Sequence, residues 1–230
     1  DTSRMGGGGG GGGRGPVVAG GGLLGLIVLI LSLFFGDGLP GGGEDPTGQQ
    51  GQQQGGNDFE HCKTGADANK YDDCRMVGGE NSLNEYWKNQ PDLQRDLQRA
   101  NAQFRGPQKT VVYSGVTQSR CGTASNQIGP FYCPLDESIF IDPDFFQVME
   151  QQLGAENKPL AQLYVLAHEY GHHIQNLYDI LEESQKDPKG ADSGAVRVEL
   201  MADCMAGMWV RHASETKDKD GVALLKQPTE

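Results

Sequence analysis

Residues 166–175, LAHEYGHHIQ, place His168, Glu169, His172 and His173 within six consecutive positions of an otherwise apolar stretch. An α-helix advances about 100° per residue, so residues four apart lie about 40° from one another on one face. His168 and His172 therefore stand side by side, and His173 points elsewhere. Glu169, one step from His168, reaches beside whatever the two rings hold. This is the H-E-x-x-H pattern, in which two imidazoles bind zinc and the glutamate acts on a zinc-bound water.

The pattern fixes only three positions and recurs by chance, so its surroundings must decide. Pro159 suits a first helical turn, and Leu160, Leu163, Tyr164, Ala167, Ile174 and Leu177 follow at helical spacing, predicting one helix from Pro159 to about Tyr178. Gly171 costs about 1 kcal/mol against alanine inside a helix. A residue that small suggests that another backbone or a ligand comes close. Burying three histidines and a glutamate for packing alone would be expensive. A metal gives a reason for them.

Catalytic zinc takes three protein ligands and keeps a fourth position open. A second helix over residues 195–210, AVRVELMADCMAGMWV, offers the third, with Val198, Met201, Met205, Met208 and Trp209 as its expected apolar stripe. Glu199 and Asp203 lie four apart on it, and Arg197 is the only cation nearby. The bland alternative is a solvated acidic edge. The apolar neighbours favour Glu199 as third ligand and Asp203 as the acceptor that fixes a ligand histidine's tautomer. A metzincin would need glycine at 175 and histidine at 178, where this chain has Gln175 and Tyr178, and the inverted H-x-x-E-H order is absent.

HEYGHHIQ, VELMADCMAG and the upstream CGTASNQIGPFYCPLDESIFIDPDFF together resemble the bacterial putative neutral zinc metallopeptidase family. These blocks fall within residues 107–212, and the middle one is far more specific than H-E-x-x-H alone. The resemblance implies a zincin-like, gluzincin-type site that holds one zinc ion through His168, His172 and Glu199, with Glu169 as general base. It also implies an N-terminal membrane anchor followed by a Gly/Gln-rich linker. Family members usually continue past the point corresponding to Glu230, so a C-terminal helical portion is expected to be missing from this chain.

The chain has 230 residues, 35 of them glycine and crowded towards the start, which reads as one domain behind a low-complexity lead-in. Its net charge of -12 argues against nucleic acid and against adhesion to an anionic membrane surface. Residues 17–36 carry no charge and are about long enough to span a bilayer. Arg4 and Arg14 precede them, and Asp37, Glu44 and Asp45 follow. The expected organisation is therefore a Gly-rich cytoplasmic N-terminus (1–16), a transmembrane helix (17–36) and a flexible linker (37–57). A metallopeptidase domain (58–230) would then lie outside the cytoplasm. A cleaved signal peptide is the rival, although no A-x-A-type site follows.

In such a compartment, Cys62 with Cys74 and Cys121 with Cys133 read as two local disulfides; the alternative is that they are free or bind metal, but no C-x-x-C spacing occurs. Cys204 is odd: either a small buried helix residue or one whose partner lies elsewhere. Two helical stretches divided at Pro91, strands in KTVVYSGV and ESIFID, and a helix in PDFFQVMEQQL precede the two metal helices. That order predicts an α+β domain with a small sheet. GPFYCPLDESIFID is the candidate edge against which an extended peptide substrate would pair.

The expected reaction is peptide hydrolysis, in which zinc activates water and polarises the scissile carbonyl while Glu169 shuttles the proton. Tyr164, Tyr170, Tyr178, His173 and His212 are chemically able to stabilise an oxyanion, and spacing selects none of them. The alternative from another class is a membrane-tethered module that holds zinc without turnover; Glu169, unnecessary for holding zinc, argues against it. An intramembrane protease fails because the motif helix is too polar for lipid.

Overall fold

The computed structural model describes residues 5–7, 59–125, 128–153, 158–217 and 225. Its strands are β1 (Met5–Gly7), β2 (Thr110–Val112), β3 (Val116–Ser119), β4 (Gly122–Ser125), β5 (Phe131–Cys133) and β6 (Ser138–Ile141). Its helices are α1 (Gly65–Lys70), α2 (Asp72–Lys88), α3 (Pro91–Arg99), α4 (Asp144–Leu153), α5 (Pro159–Leu177), α6 (Ile180–Ser184) and α7 (Gly194–Glu215), with a 3₁₀ turn at Phe59–His61. The mixed α+β class and the two long motif helices match the sequence expectation.

Four strands form one sheet in the order β1-β2-β6-β5, with β5 antiparallel to β6 and the other pairings parallel. Alternation divides its residues between two cores, as the pleat requires. Val112, Tyr132, Ile139 and Ile141 join the helical core with Leu83, Leu166, Ile174 and Trp209. Val111, Tyr113, Phe131, Cys133 and Phe140 turn the other way and meet Ala124 of the β3–β4 hairpin. Phe131 and Phe140, paired in register, stack with ring centroids 4.9 Å apart. The Cys121–Cys133 disulfide ties that hairpin to β5, and the Cys62–Cys74 disulfide closes the segment around α1.

Helix α5 is central, packed against α2, α7, β5 and β6. Glycines set its distance from the neighbouring helices. A Cβ on Gly171 would lie 3.1 Å from the Ala202 Cα and 3.2 Å from its carbonyl oxygen, so the backbone of α7 does come close at the motif. A Cβ on Gly79 of α2 would meet the Leu163 and Leu166 methyls at 2.6 and 2.8 Å.

Helix α7 departs from the expected methionine stripe. Its buried face is Ala195, Val198, Glu199, Ala202, Ala206, Trp209 and Ala213, whereas Met201 and Met208 are exposed. Small side chains face α5 because the two helices approach too closely for methionine. Leu200 and Cys204 are exposed as well, and Cys204 lies outside any disulfide.

The single-pass membrane placement requires correction. No helix among the described residues is long and apolar enough to cross a membrane. Residues 17–36, which carried that expectation, lie outside the described residues. Moreover, Met5–Gly7, assigned from sequence to the far side of the bilayer, pairs with Thr110–Val112 within the main sheet. Strands that share backbone hydrogen bonds lie on the same side of any membrane.

Candidate metal centre

Helices α5 and α7 bring His168, His172 and Glu199 together, with one donor atom from each within 4.8 Å of the others. The Glu199 carboxylate Oε2 lies 3.1 Å from His168 Nε2 and 3.5 Å from His172 Nε2. The imidazole centroids are 4.8 Å apart with the rings nearly perpendicular, and both Nε2 atoms lie within 3.5 Å of the same Glu199 oxygen. Glu199 and His172 are buried and His168 is partly so.

The other nitrogen of each ring is held by an oxygen. His168 Nδ1 lies 3.0 Å from Asp203 Oδ1, which also accepts from the Tyr164 hydroxyl at 3.0 Å. His172 Nδ1 lies 2.8 Å from Gln175 Oε1, and the Gln175 amide donates to the Val198 carbonyl at 2.7 Å. Oxygen acceptors at both Nδ1 atoms favour the tautomer with its proton there, leaving Nε2 to bind a metal. Gln175 and Tyr164 were missed as orienting residues. Gln175, three residues after His172 and fully buried, carried a faint signal as a carboxamide in an apolar run.

The donor set fits zinc. Bonds of about 2.0–2.2 Å in a tetrahedron require donors about 3.3–3.5 Å apart, near the two Glu199 distances above. The electrostatics agree with a site for a cation. Burial alone would lower the His168 imidazole, but hydrogen bonds to Asp203 and Glu199 raise it to about 10. Burial would raise the Glu199 carboxyl, yet hydrogen bonds from His168 and His172 bring it down to about 2.

Glu169 is buried beside this cluster. Burial raises its pKa, and His172 and His168 pull in the opposite direction. The backbone N–H of Tyr132 in β5 adds a smaller pull in the same direction. His173 faces away from the cluster, with Nδ1 3.0 Å from the Tyr132 hydroxyl and Nε2 2.8 Å from the Arg105 carbonyl. Among the oxyanion candidates, Tyr164 is bonded to Asp203, Tyr170 donates to Asn84 at 3.3 Å, and the His212 ring packs on Tyr86.

With this geometry in place, comparison with known proteins is decisive at the family level. The profile of the putative neutral zinc metallopeptidase family matches residues 1–223. The chain belongs to that family. It is 41% identical over 194 residues to uncharacterized proteins of Mycobacterium tuberculosis and Mycobacterium bovis, covering 80% of this chain and 62% of each relative. It is also 43% identical over 106 residues to the uncharacterized protein YpfJ of Escherichia coli, covering 44% of this chain and 37% of that one. The chain thus spans less than two thirds of the length of the curated relatives it matches. No solved structure matches it.

Proposed function

We propose that the chain is a zinc-dependent peptidase that binds one ion through His168, His172 and Glu199 and uses Glu169 as general base. The observation that carries this reading is the convergence of three donors whose histidines are each fixed at the opposite nitrogen. Bound zinc would supply a Lewis acid for the scissile carbonyl and for the attacking water.

The chain's own residues do the rest. Glu169, its carboxyl raised by burial, is suited to take a proton from water and return it to the departing amine. Asp203 and Gln175 prevent the two ligand rings from turning. As the terminal strand of its sheet, β5 would pair with an extended peptide through main-chain hydrogen bonds.

The test combines metal analysis with a peptide-library assay on the full-length protein. Wild type should carry one zinc per chain and cleave peptides. Glu169→Gln should keep the zinc and lose about 10²–10⁴-fold in rate. Zinc-loaded wild type that cleaves nothing would convert the reading to a zinc-holding binding module.

A further inference from the structure

A second cluster of metal-type donors lies far from the peptidase centre in sequence and is not used by it. His61, Cys62, Asp73 and Cys74 each offer one ligand atom, all within 4.8 Å of one another. His61 Nε2 is 3.6 Å from Cys62 Sγ and 3.0 Å from Asp73 Oδ2. The Cys74 N–H donates to the other Asp73 oxygen at 2.9 Å, which fixes the carboxylate, and the Tyr71 ring packs edge-on against His61. In the structure the two sulfurs are joined as a disulfide, so only His61 and Asp73 are available as ligands.

The geometry points to a redox-gated metal site: on reduction of Cys62–Cys74, this corner binds one thiophilic divalent cation, zinc or cobalt, through Cys62, Cys74, His61 and Asp73. Two thiolates, an imidazole and a carboxylate are a tetrahedral zinc donor set. Bonds of about 2.3 Å to sulfur and 2.0–2.1 Å to nitrogen or oxygen place N···S near 3.6 Å and N···O near 3.3 Å. The existing N···S distance already agrees, and the N···O distance needs a few tenths of an ångström. Breaking the S–S bond frees the sulfurs to move to the about 3.8 Å that a shared ion requires. The His61 side chain is 46% exposed and Asp73 27%, so an ion can enter from solvent.

The step balances. Two thiol molecules reduce the disulfide and become a disulfide themselves, leaving Cys62 and Cys74 as thiols. The cation then displaces the two thiol protons to solvent. The segment between them, separated by 12 residues and containing α1, is tied by sulfur–sulfur bonding in one state and by metal in the other. This goes beyond the peptidase reading, and its optical signal does not depend on that reading, because the centre on α5 and α7 contains no sulfur ligand.

The experiment is an anaerobic cobalt titration of the full-length protein, oxidised and after reduction with a phosphine, which takes up water oxygen as it gives two electrons to the disulfide. A sulfur-to-cobalt charge-transfer band, one equivalent per chain and displaced by zinc, should appear only after reduction. It should be lost in Cys62→Ser/Cys74→Ser. In His61→Ala/Asp73→Ala, cobalt should bind weaker by on the order of 10²-fold or more, since ligands removed outright matter at least as much as outer partners. Because reduction also frees Cys121 and Cys133, the measured quantity is the difference between wild type and Cys62→Ser/Cys74→Ser under identical reduction. No difference between those two proteins overturns the proposal. So does an unchanged affinity in His61→Ala/Asp73→Ala.

Discussion

The hydroxyl of Tyr132, on the terminal strand of the sheet, lies 3.0 Å from His173 Nδ1, four residues along α5 from Glu169, the residue proposed for proton transfer. The same hydroxyl accepts from Asn176 Nδ2 at 3.1 Å, on the face of α5 that Asn176 shares with Glu169 and His173. Tyr132→Phe keeps the ring but removes both hydrogen bonds of the hydroxyl, which costs about 1–3 kcal/mol. Urea denaturation should show that loss while zinc content stays at wild-type level. An unchanged denaturation midpoint would remove the hydroxyl from the set of groups that hold β5 to the helix.

Asp203 is half-exposed and contacts His168 rather than the point where the three donors meet. Asp203→Ala should therefore weaken zinc binding by about 10–100-fold without abolishing it. Tyr164→Phe, one step further out, should have a smaller effect. Competition with a chromophoric chelator measures both, and an Asp203→Ala protein that binds zinc as tightly as wild type would show that the His168 ring needs no such support.

Zinc uptake should release protons. His168 is raised to about 10 and His172 is raised as well, so near neutral pH the ligand rings carry at least one proton that a metal must displace. Affinity should then rise about tenfold per pH unit for each proton released. Calorimetry in buffers of differing ionisation enthalpy counts them, and a count of zero contradicts the protonated rings.

Arg105 and Glu137 form a two-pronged ion pair, with N···O distances of 3.0 and 2.8 Å, beside the loop whose carbonyl receives His173. The hydrogen bond from Arg105 holds the Glu137 carboxyl below its ordinary 4.5. A lowered folded-state pKa stabilises above the unfolded value and loses that contribution as pH falls through the folded one. Both side chains are partly exposed, so screening limits the pair to about 0.5–1 kcal/mol. Glu137→Gln should be less stable than wild type by that amount at pH 7, and the difference should vanish below pH 4.5 as the folded value is passed. A gap that persists in acid would assign the effect to packing.

Gly171→Ala and Gly79→Ala should differ in kind. Each adds a methyl into a tight helix contact, at about 1–3 kcal/mol, offset by up to about 1 kcal/mol of helix propensity. At position 79 the obstacle is the methyl groups of Leu163 and Leu166, which can turn aside. At position 171 it is the backbone of Ala202, three residues from Glu199. Only Gly171→Ala should weaken zinc binding along with stability. Equal zinc affinity in the two variants would show that helix spacing does not set the ligand geometry.

What the sequence made legible was what covalent helix geometry dictates. The four-residue spacings of His168 with His172 and of Glu199 with Asp203 place those side chains without knowledge of the rest of the chain. Tyr164 and the Tyr132 hydroxyl were not legible as partners and Gln175 only faintly, because their roles arise where α5 meets α7 or β5. The methionines of α7 misled for a related reason: hydrophobicity identifies residues that can be buried, but a closely approaching backbone selects alanine. Strand β1 gave no signal, since Met-Gly-Gly lacks the branched and aromatic side chains by which a strand is recognised.

That strand also has a consequence for the order of folding. Met5 pairs with Thr110, so this parallel contact joins positions more than a hundred residues apart, while Thr110 pairs with the much nearer Ile139. Contacts between distant positions carry the larger loop-closure entropy and are slow to form. The β2–β6–β5 ladder should therefore assemble first and serve as the template for β1. Rapid hydrogen exchange at the Gly6 and Gly7 amides, against slow exchange at Phe140 and Ile141, would report it; equal protection would refute it. On this ordering, β1 is the last strand to join the sheet and the first to leave.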